Sequence, residues 1–243
     1  MVKVFNFSGG KTSAYMVIHY YQPGDLVIFC DTGREHPKTY KFINDFEAHE
    51  NIPIIILKYA DSENPFSAML KHNKYRIPNQ FKRFCTDELK IKTCKRYLRA
   101  KGILTFENFI GFRSDEPLRV KRRGQKFKRV FDKFPLYDDG IDKQIINDYW
   151  SKKEYTLEIP SILGNCTLCF MKGKNAIISI LAAYPELAEE WINDENSSKL
   201  EGKGNTYFPE VTIEQLRNIA SNNLFKNFDL ELMAPAYNCA CTT

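Results

Sequence analysis

Residues 5–16 read F-N-F-S-G-G-K-T-S-A-Y-M and concentrate groups that hold anions. Gly9 and Gly10, side by side, let the backbone turn sharply and bring amide N–H groups close to a negative charge. Ser8, Thr12 and Ser13 add hydroxyl donors, and Lys11 adds a mobile cation. A helix beginning here aims its first N–H groups and positive dipole end at the same point. The chemistry of such a set is phosphate binding. A Walker A loop would need its first glycine where Phe5 stands, so γ-phosphate transfer is not the inference. A tight strand-to-helix turn is the simpler alternative, but it does not need all of these groups.

Two further polar clusters carry chemistry. Asp31 and Thr32, in C-D-T-G, suit hydrogen bonding to a ribose or to a metal held against phosphates; their plainer role is to cap the next helix. In G-F-R-S-D-E-P-L-R, residues 111–119, Arg113 and Arg119 can grip phosphate or sulfate oxygens in bidentate fashion. Asp115 and Glu116 then hold Mg²⁺ or orient the arginines, or the cluster is a surface ion-pair network. Seven cysteines without an export signal argue against a disulfide framework. Cys166-x-x-Cys169 and Cys239-x-Cys241 have ligand spacing, suited to a zinc knuckle or to part of an iron–sulfur site. Cys30, after an apolar strand, reads as a core thiol, and Cys94 as a packed one.

Elements must position these groups. Strand signals at 2–7, 25–32, 52–60 and 104–112 alternate with helical ones through the first hundred residues. The run I-P-I-I-I-L-K-Y-A at 52–60 suits a strand buried on both faces. Pro37 opens one helix, and the segment 87–102 reads as another, stopped at Gly102. Alternation of this kind predicts a doubly wound, mostly parallel α/β sheet, with ligands beyond the carboxyl ends of the strands. The Gly-rich turn, C-D-T-G and the 111–119 cluster then converge on one edge. After about residue 140 the pattern turns helical, with Thr212 and Gln215 in a capping-box arrangement. The expected division is residues 1–140 as the nucleotide-binding domain and 141–243 as a helical appendage carrying the closely spaced cysteine pairs.

A length of 243 residues, 43% hydrophobic and 14% aromatic, specifies a folded chain with a proper core. No apolar stretch approaches the roughly 20 residues of a membrane-spanning helix, and the start does not read as a signal peptide, so residence in the cytoplasm is the default. The net charge of +5 says little about partners. R-V-K-R-R-G-Q-K-F-K-R at 119–129 holds seven basic residues and no acid. It is either a solvated loop or hairpin or a surface for polyphosphate or nucleic acid, with Phe127 as its one aromatic.

F-S-G-G-K-T-S-A-Y-M resembles the PP-loop of the adenine-nucleotide alpha-hydrolase group, which includes ATP pyrophosphatases and phosphoadenylyl-sulfate (PAPS) reductases. The segments at 29–46, 83–93, 111–119 and 134–140 are similar, in order, to further motifs of the PAPS reductase family, and G-N-C-T-L-C-F-M-K-G-K extends the similarity to 174. The resemblance implies phosphate binding by Ser8, Gly9, Gly10, Lys11, Thr12 and Ser13. Asp31, Thr32, Gly33, Lys90, Gly111, Arg113 and Arg119 would line the same site. It implies cleavage at the α-phosphate by positioning and charge neutralisation through Lys11, Arg113, Asp115, Glu116 and Mg²⁺. Sulfate-reducing relatives hold a 4Fe–4S cluster on a cysteine matching Cys85 and a later C-x-x-C matching Cys166 and Cys169. Cys239, Cys241 and Cys94 are candidates for the fourth ligand, with the C-terminal pair favoured. A zinc site on Cys166, Cys169, Cys239 and Cys241 is the rival, and a mobile tail delivering a nucleophilic thiolate is a third option. The E-C-G-x-H tail motif of PAPS reductases is absent here, and Thr12 stands where ATP-using members usually carry Asp. The leading expectation is ATP-dependent sulfur transfer or adenylation, on an acceptor that includes nucleic acid or protein. PAPS or APS reduction to sulfite and a non-catalytic regulatory module are the alternatives. The sequence leaves the assembly open, a homodimer among the options.

Overall fold

In the computed structural model, residues 1–123 and 128–222 are described; Cys239 and Cys241 lie outside them, as do residues 124–127 of the basic run. Five parallel strands form one sheet: β1 (Val2–Asn6), β2 (Leu26–Asp31), β3 (Ile54–Lys58), β4 (Phe106–Phe109) and β5 (Val130–Lys133), in the order β3-β2-β1-β4-β5. The register sets Phe5 beside both Val27 and Phe109. The chain winds outward from β1 through β2 to β3, then crosses back and continues from β4 to β5 on the other side. The order therefore reverses between β1 and β4, the place where such sheets open a crevice at their carboxyl ends.

The helices follow local rules. α1 (Lys11–Tyr20) starts directly from Gly10, which supplies no side-chain cap. α2 (Pro37–Glu50) has Pro at its start and His36 as its cap, with the imidazole Nδ1 accepting from Lys38 N–H at 3.1 Å. It ends where Asn51 turns left-handed at φ 53°. α3 (Pro65–His72) is capped by Asn64. One helical rod then runs through α4 (Phe84–Thr86), a π-helical stretch at Asp87–Lys92 and α5 (Thr93–Ala100), and Gly102 follows at φ 73°. The Thr93 hydroxyl donates to Glu88 O, five residues back, at 2.9 Å. α6 (Pro117–Arg123) and α7 (Pro135–Asp138) flank β5; α8 (Lys143–Trp150), α9 (Lys174–Ala183), α10 (Glu189–Leu200) and α11 (Ile213–Ser221) follow among the described residues. The Thr212–Gln215 capping box is present.

Side chains alternate across β1, as a strand requires. Phe5 faces α1, α2 and α8, packing among Phe42, Phe46, Ile146 and Trp150. Val4 faces the opposite way, towards Cys30, Cys94 and Leu98, so both of those cysteines are core thiols as expected. A third cluster joins Phe66, Met69 and Leu70 of α3 to Leu168, Ile177 and Trp191 from the C-terminal half. Among the described residues no helix is long and apolar enough to cross a membrane.

Three local expectations need correction. The apolar run at β3 is not buried on both faces: β3 is the outer strand of the sheet, and Ile56 is 49% exposed. Residues 119–123 of the basic run lie in the helix α6 rather than in a loop or hairpin. A fifth strand, β5, follows it; the sequence hides this strand because it is short and tied by polar bonds. Asn108 Nδ2 donates to Asp132 at 2.7 Å and Arg123 Nε donates to the same carboxylate at 2.8 Å.

Candidate functional site

At the β1–β4 crevice the turn Ser8-Gly9-Gly10 leads straight into α1. Gly9 sits at φ 73°, and a Cβ there would fall 2.7 Å from Thr39 Cγ2 and 3.2 Å from Ile43 Cδ1. Its backbone is thus seated on α2 in a conformation that only glycine adopts easily. Gly10 differs: the nearest atom to an added Cβ is Ser8 Oγ at 3.6 Å, an ordinary contact, so the turn is not packed closed at this position. The loop is knitted from within. Ser8 N–H donates to Ser13 Oγ at 3.1 Å, the two hydroxyls lie 3.0 Å apart, and the Ser13 hydroxyl sits 3.0 Å from Gly10 O. Trp150 Nε1 donates to Lys11 O at 3.0 Å, tying α8 to the same turn. Lys11 and Thr12 are half-buried.

The loop after β4 closes the other wall. A Cβ on Gly111 would stand 3.6 Å from Ser13 Cα and from Thr12 Cγ2, so the two loops abut. Arg113 makes a bidentate pair with Asp115 at 2.8 and 2.9 Å. Burial alone would pull the Arg113 guanidinium down, but Asp115 and Glu116 outweigh it and hold the group above its ordinary range. The Asp115 carboxyl is held low by that same hydrogen bond. Arg119 Nη1 donates to Glu116 at 2.6 Å, and its guanidinium lies 4.2 Å over the Phe112 ring, which stacks on Phe134. Both acids therefore orient arginines.

The loop after β2 is more buried than its sequence suggested. Thr32 is 1% exposed, and its hydroxyl lies 2.8 Å from both Glu35 oxygens and 3.3 Å from Cys166 Sγ. Asp31 accepts from Gly33 N–H and Tyr40 O–H, each at 2.8 Å, with Lys58 Nζ at 3.9 Å. Neither residue caps α2. Gly33 turns at φ 73° against Pro65. Arg34 is buried: it donates to Asp194 at 2.8 Å, pairs with Glu190, and lies 5.1 Å over Phe66 and 5.8 Å from Trp191.

The C-x-x-C segment docks on this loop. Glu35 and Cys166 form an antiparallel bridge, and Thr167 N–H donates to Arg34 O at 2.8 Å. Burial pushes the Cys85 thiol up to about 11, with Cys169 nearby adding to the effect. Burial and the adjacent Glu35 push Cys166 to about 12. Glu35 is itself raised by burial. Lys172 donates to Cys166 O and Thr167 O, both at 2.8 Å, and burial pulls its ammonium down to about 8 against the pull of Cys169, Cys166 and Glu35. Lys90, at 7% exposure, belongs to the same neighbourhood. Cys85 on α4 and Lys90 in the π-helical stretch are thus gathered with the C-x-x-C pair.

The metal expectations divide by donor chemistry. Asp31, Asp115 and Glu116, the acids expected to hold Mg²⁺, are engaged by backbone, tyrosine or arginine donors, so they do not fit that role as placed. Three soft thiols from two segments suit zinc or iron–sulfur. Among the described residues, however, no group of three or more His, Cys, Asp and Glu stands at metal-ligand spacing. Sequence reasoning missed Glu35, Arg34, Tyr40, Lys172 and Trp150. Only Glu35, three residues after Thr32, and Lys172, three after Cys169, carried a positional signal.

Two loops that abut beside an uncapped helix start, at the switch point of a five-stranded parallel sheet, define a doubly wound α/β protein. The sequence matches the phosphoadenosine phosphosulfate reductase domain over residues 3–153, and the chain belongs to that family. It is 30% identical over 214 residues to an uncharacterized nin region protein of Escherichia phage lambda, covering 73% of this chain and 68% of that protein. Two uncharacterized proteins of Methanocaldococcus jannaschii are 26% and 33% identical over 77% of this chain. The chain spans only 46% and 40% of their lengths. A crystal structure of a PAPS reductase from Candida auris, in complex with phosphate, aligns with a TM-score of 0.41 at 15% identity, covering 62% of this chain and 71% of that one.

Proposed function

We propose that the chain binds an adenine nucleotide with its phosphates above Gly10 and the first turn of α1, and cleaves it at the α-phosphate in adenylation or sulfur-transfer chemistry. The observation that carries this reading is the start of α1 at Gly10, which has no side-chain cap and where an added Cβ would meet only Ser8 Oγ, with the Gly111 loop abutting Thr12 and Ser13 beside it. Amide groups fixed before the ligand arrives stabilise developing phosphate charge without reorganising. Lys11 adds a cation at the same turn, and Arg113 and Arg119 present oriented guanidinium groups from the facing loop. With ATP, an acceptor oxygen bonds to the α-phosphorus as the bond to the bridging oxygen breaks, and pyrophosphate leaves with the electron pair.

PAPS or APS reduction is a second reading, favoured by the thiols packed on the loop after β2. Thiolate ligation by Cys85, Cys166 and Cys169, completed by Cys239 or Cys241, belongs to this proposal. Its test is anaerobic purification with iron, sulfide and zinc analysis. Titration calorimetry with ATP and with PAPS, followed by assays for pyrophosphate and for sulfite with a thiol reductant, separates the two readings. Lys11→Ala is expected to weaken nucleotide binding at least tenfold. Equal affinity in wild type and variant would remove the turn from the phosphate site, and consumption of neither nucleotide would leave a binding module.

A further inference from the structure

We infer that the chain carries a docking groove for single-stranded nucleic acid on the edge of the sheet opposite the candidate nucleotide site. The inference stands independently of the nucleotide chemistry proposed above. A cavity of about 320 Å³ opens between α5, the turn that follows it and the first residues of β4 and β5. Its floor is apolar, formed by Leu98, Ile103, Leu104 and Phe106, with Leu104 standing 52% exposed. Its rim carries Lys95, Arg99, Lys128 and Arg129, and no acid lines it. Among the described residues Arg99, Lys128 and Arg129 form no ion pair with an acid, whereas Arg119 and Arg123 are held by Glu116 and Asp132.

The charge pattern selects the occupant. Residues 95–101 hold four basic side chains and no acid, and residues 119–129 hold seven and no acid. Lys128 and Arg129 of the second segment stand on the groove's rim at the amino end of β5. With Lys95 and Arg99 they make a rim of four cations and no acid, complementary to a run of phosphates. The apolar surface exposed at Leu104 suits the face of an unpaired base, which a duplex keeps inside its stack.

The test is fluorescence anisotropy of the full chain with a labelled 20-nucleotide mixed-sequence strand, as DNA and as RNA, from 50 to 200 mM KCl. Four phosphate contacts predict a slope of log affinity against log salt of about −2.8, a loss of about 50-fold across that range. The double variant Arg99→Ala, Arg129→Ala should reduce the slope to about −1.4, a loss of about 7-fold. Leu104→Ser, at an exposed position, should weaken binding at every salt concentration and leave the slope alone. Thermal melts confirm that each variant is folded. The inference is overturned by failure to bind either strand, by an unchanged slope in the double variant, or by a duplex binding as tightly as the single strand. Displacement of the strand by poly-glutamate at equal charge concentration would also overturn it, in favour of an acidic protein partner.

Discussion

Substituting alanine at Gly9 and at Gly10, one position at a time, separates what the turn needs for folding from what it needs for binding. Gly9 sits at φ 73°, where an L side chain costs about 1–2 kcal/mol. Its new Cβ would press to 2.7 Å on Thr39 Cγ2, and Thr39 is itself buried at 2% exposure. Overpacking of this kind costs about 1–3 kcal/mol. The reduced freedom of the unfolded chain returns about 0.4–1 kcal/mol, so Gly9→Ala should destabilise by about 3 kcal/mol. Gly10, at φ −110°, meets only Ser8 Oγ at 3.6 Å. There the poorer helix cap and the stiffer unfolded chain nearly cancel, and Gly10→Ala should keep stability within about 0.5 kcal/mol. Its methyl group would nevertheless stand where phosphate is proposed to sit. Urea unfolding and nucleotide titration on both variants are the assays. Equal destabilisation by the two substitutions, or unchanged nucleotide affinity in Gly10→Ala, would refute the division of roles.

Arg34→Met leaves Asp194 buried without its cation and should lower stability by about 3–5 kcal/mol in urea melts; a loss under 1 kcal/mol would mean that solvent reaches the pair. Burial pulls Lys172 down to about 8, so the unfolded chain, with its ordinary lysine, binds more protons than the folded one between pH 8 and the usual lysine range. Lys172 therefore contributes rising stability as pH climbs through 8. Wild type should gain on Lys172→Met between pH 7 and 9, and a gap that is constant with pH contradicts the assignment. Cys85, pushed up to about 11, should be alkylated by iodoacetamide at pH 7.5 on the order of 100-fold more slowly than a free cysteine peptide. Reaction at the peptide's rate in metal-free protein would show that the thiol is not buried as described.

How far the sequence revealed this molecule depended on the range of the interaction involved. Gly9, Gly10 and Lys11 act within one turn, and Pro37 and Thr212 mark helix starts by local hydrogen bonding, so all could be read residue by residue. The parallel sheet followed from the alternation of strand and helix patterns. β3 was misjudged because an apolar run records hydrophobicity, while the strand's place at the edge is fixed by chain order. β5 escaped because its stability rests on Asp132 bonding to Asn108 and Arg123 rather than on a run of apolar residues. The surroundings of Thr32 were hidden for a related reason. Glu35 meets Cys166, and Arg34 meets Asp194, across more than a hundred residues, and no local pattern announces such pairs.

The matched domain covers residues 3–153, yet the backbone that pairs with the loop after β2 begins at Cys166. The matched domain thus leaves out part of what holds that loop in shape. A chain cut at 153 would keep all five strands and the Gly-rich turn. It would strip Thr167 from Arg34 O and Asp194 from the Arg34 guanidinium, and bare the faces of Phe66, Met69 and Leu70. For grafting or domain exchange, the seam belongs beyond α10, where the last partner of Arg34 has been included.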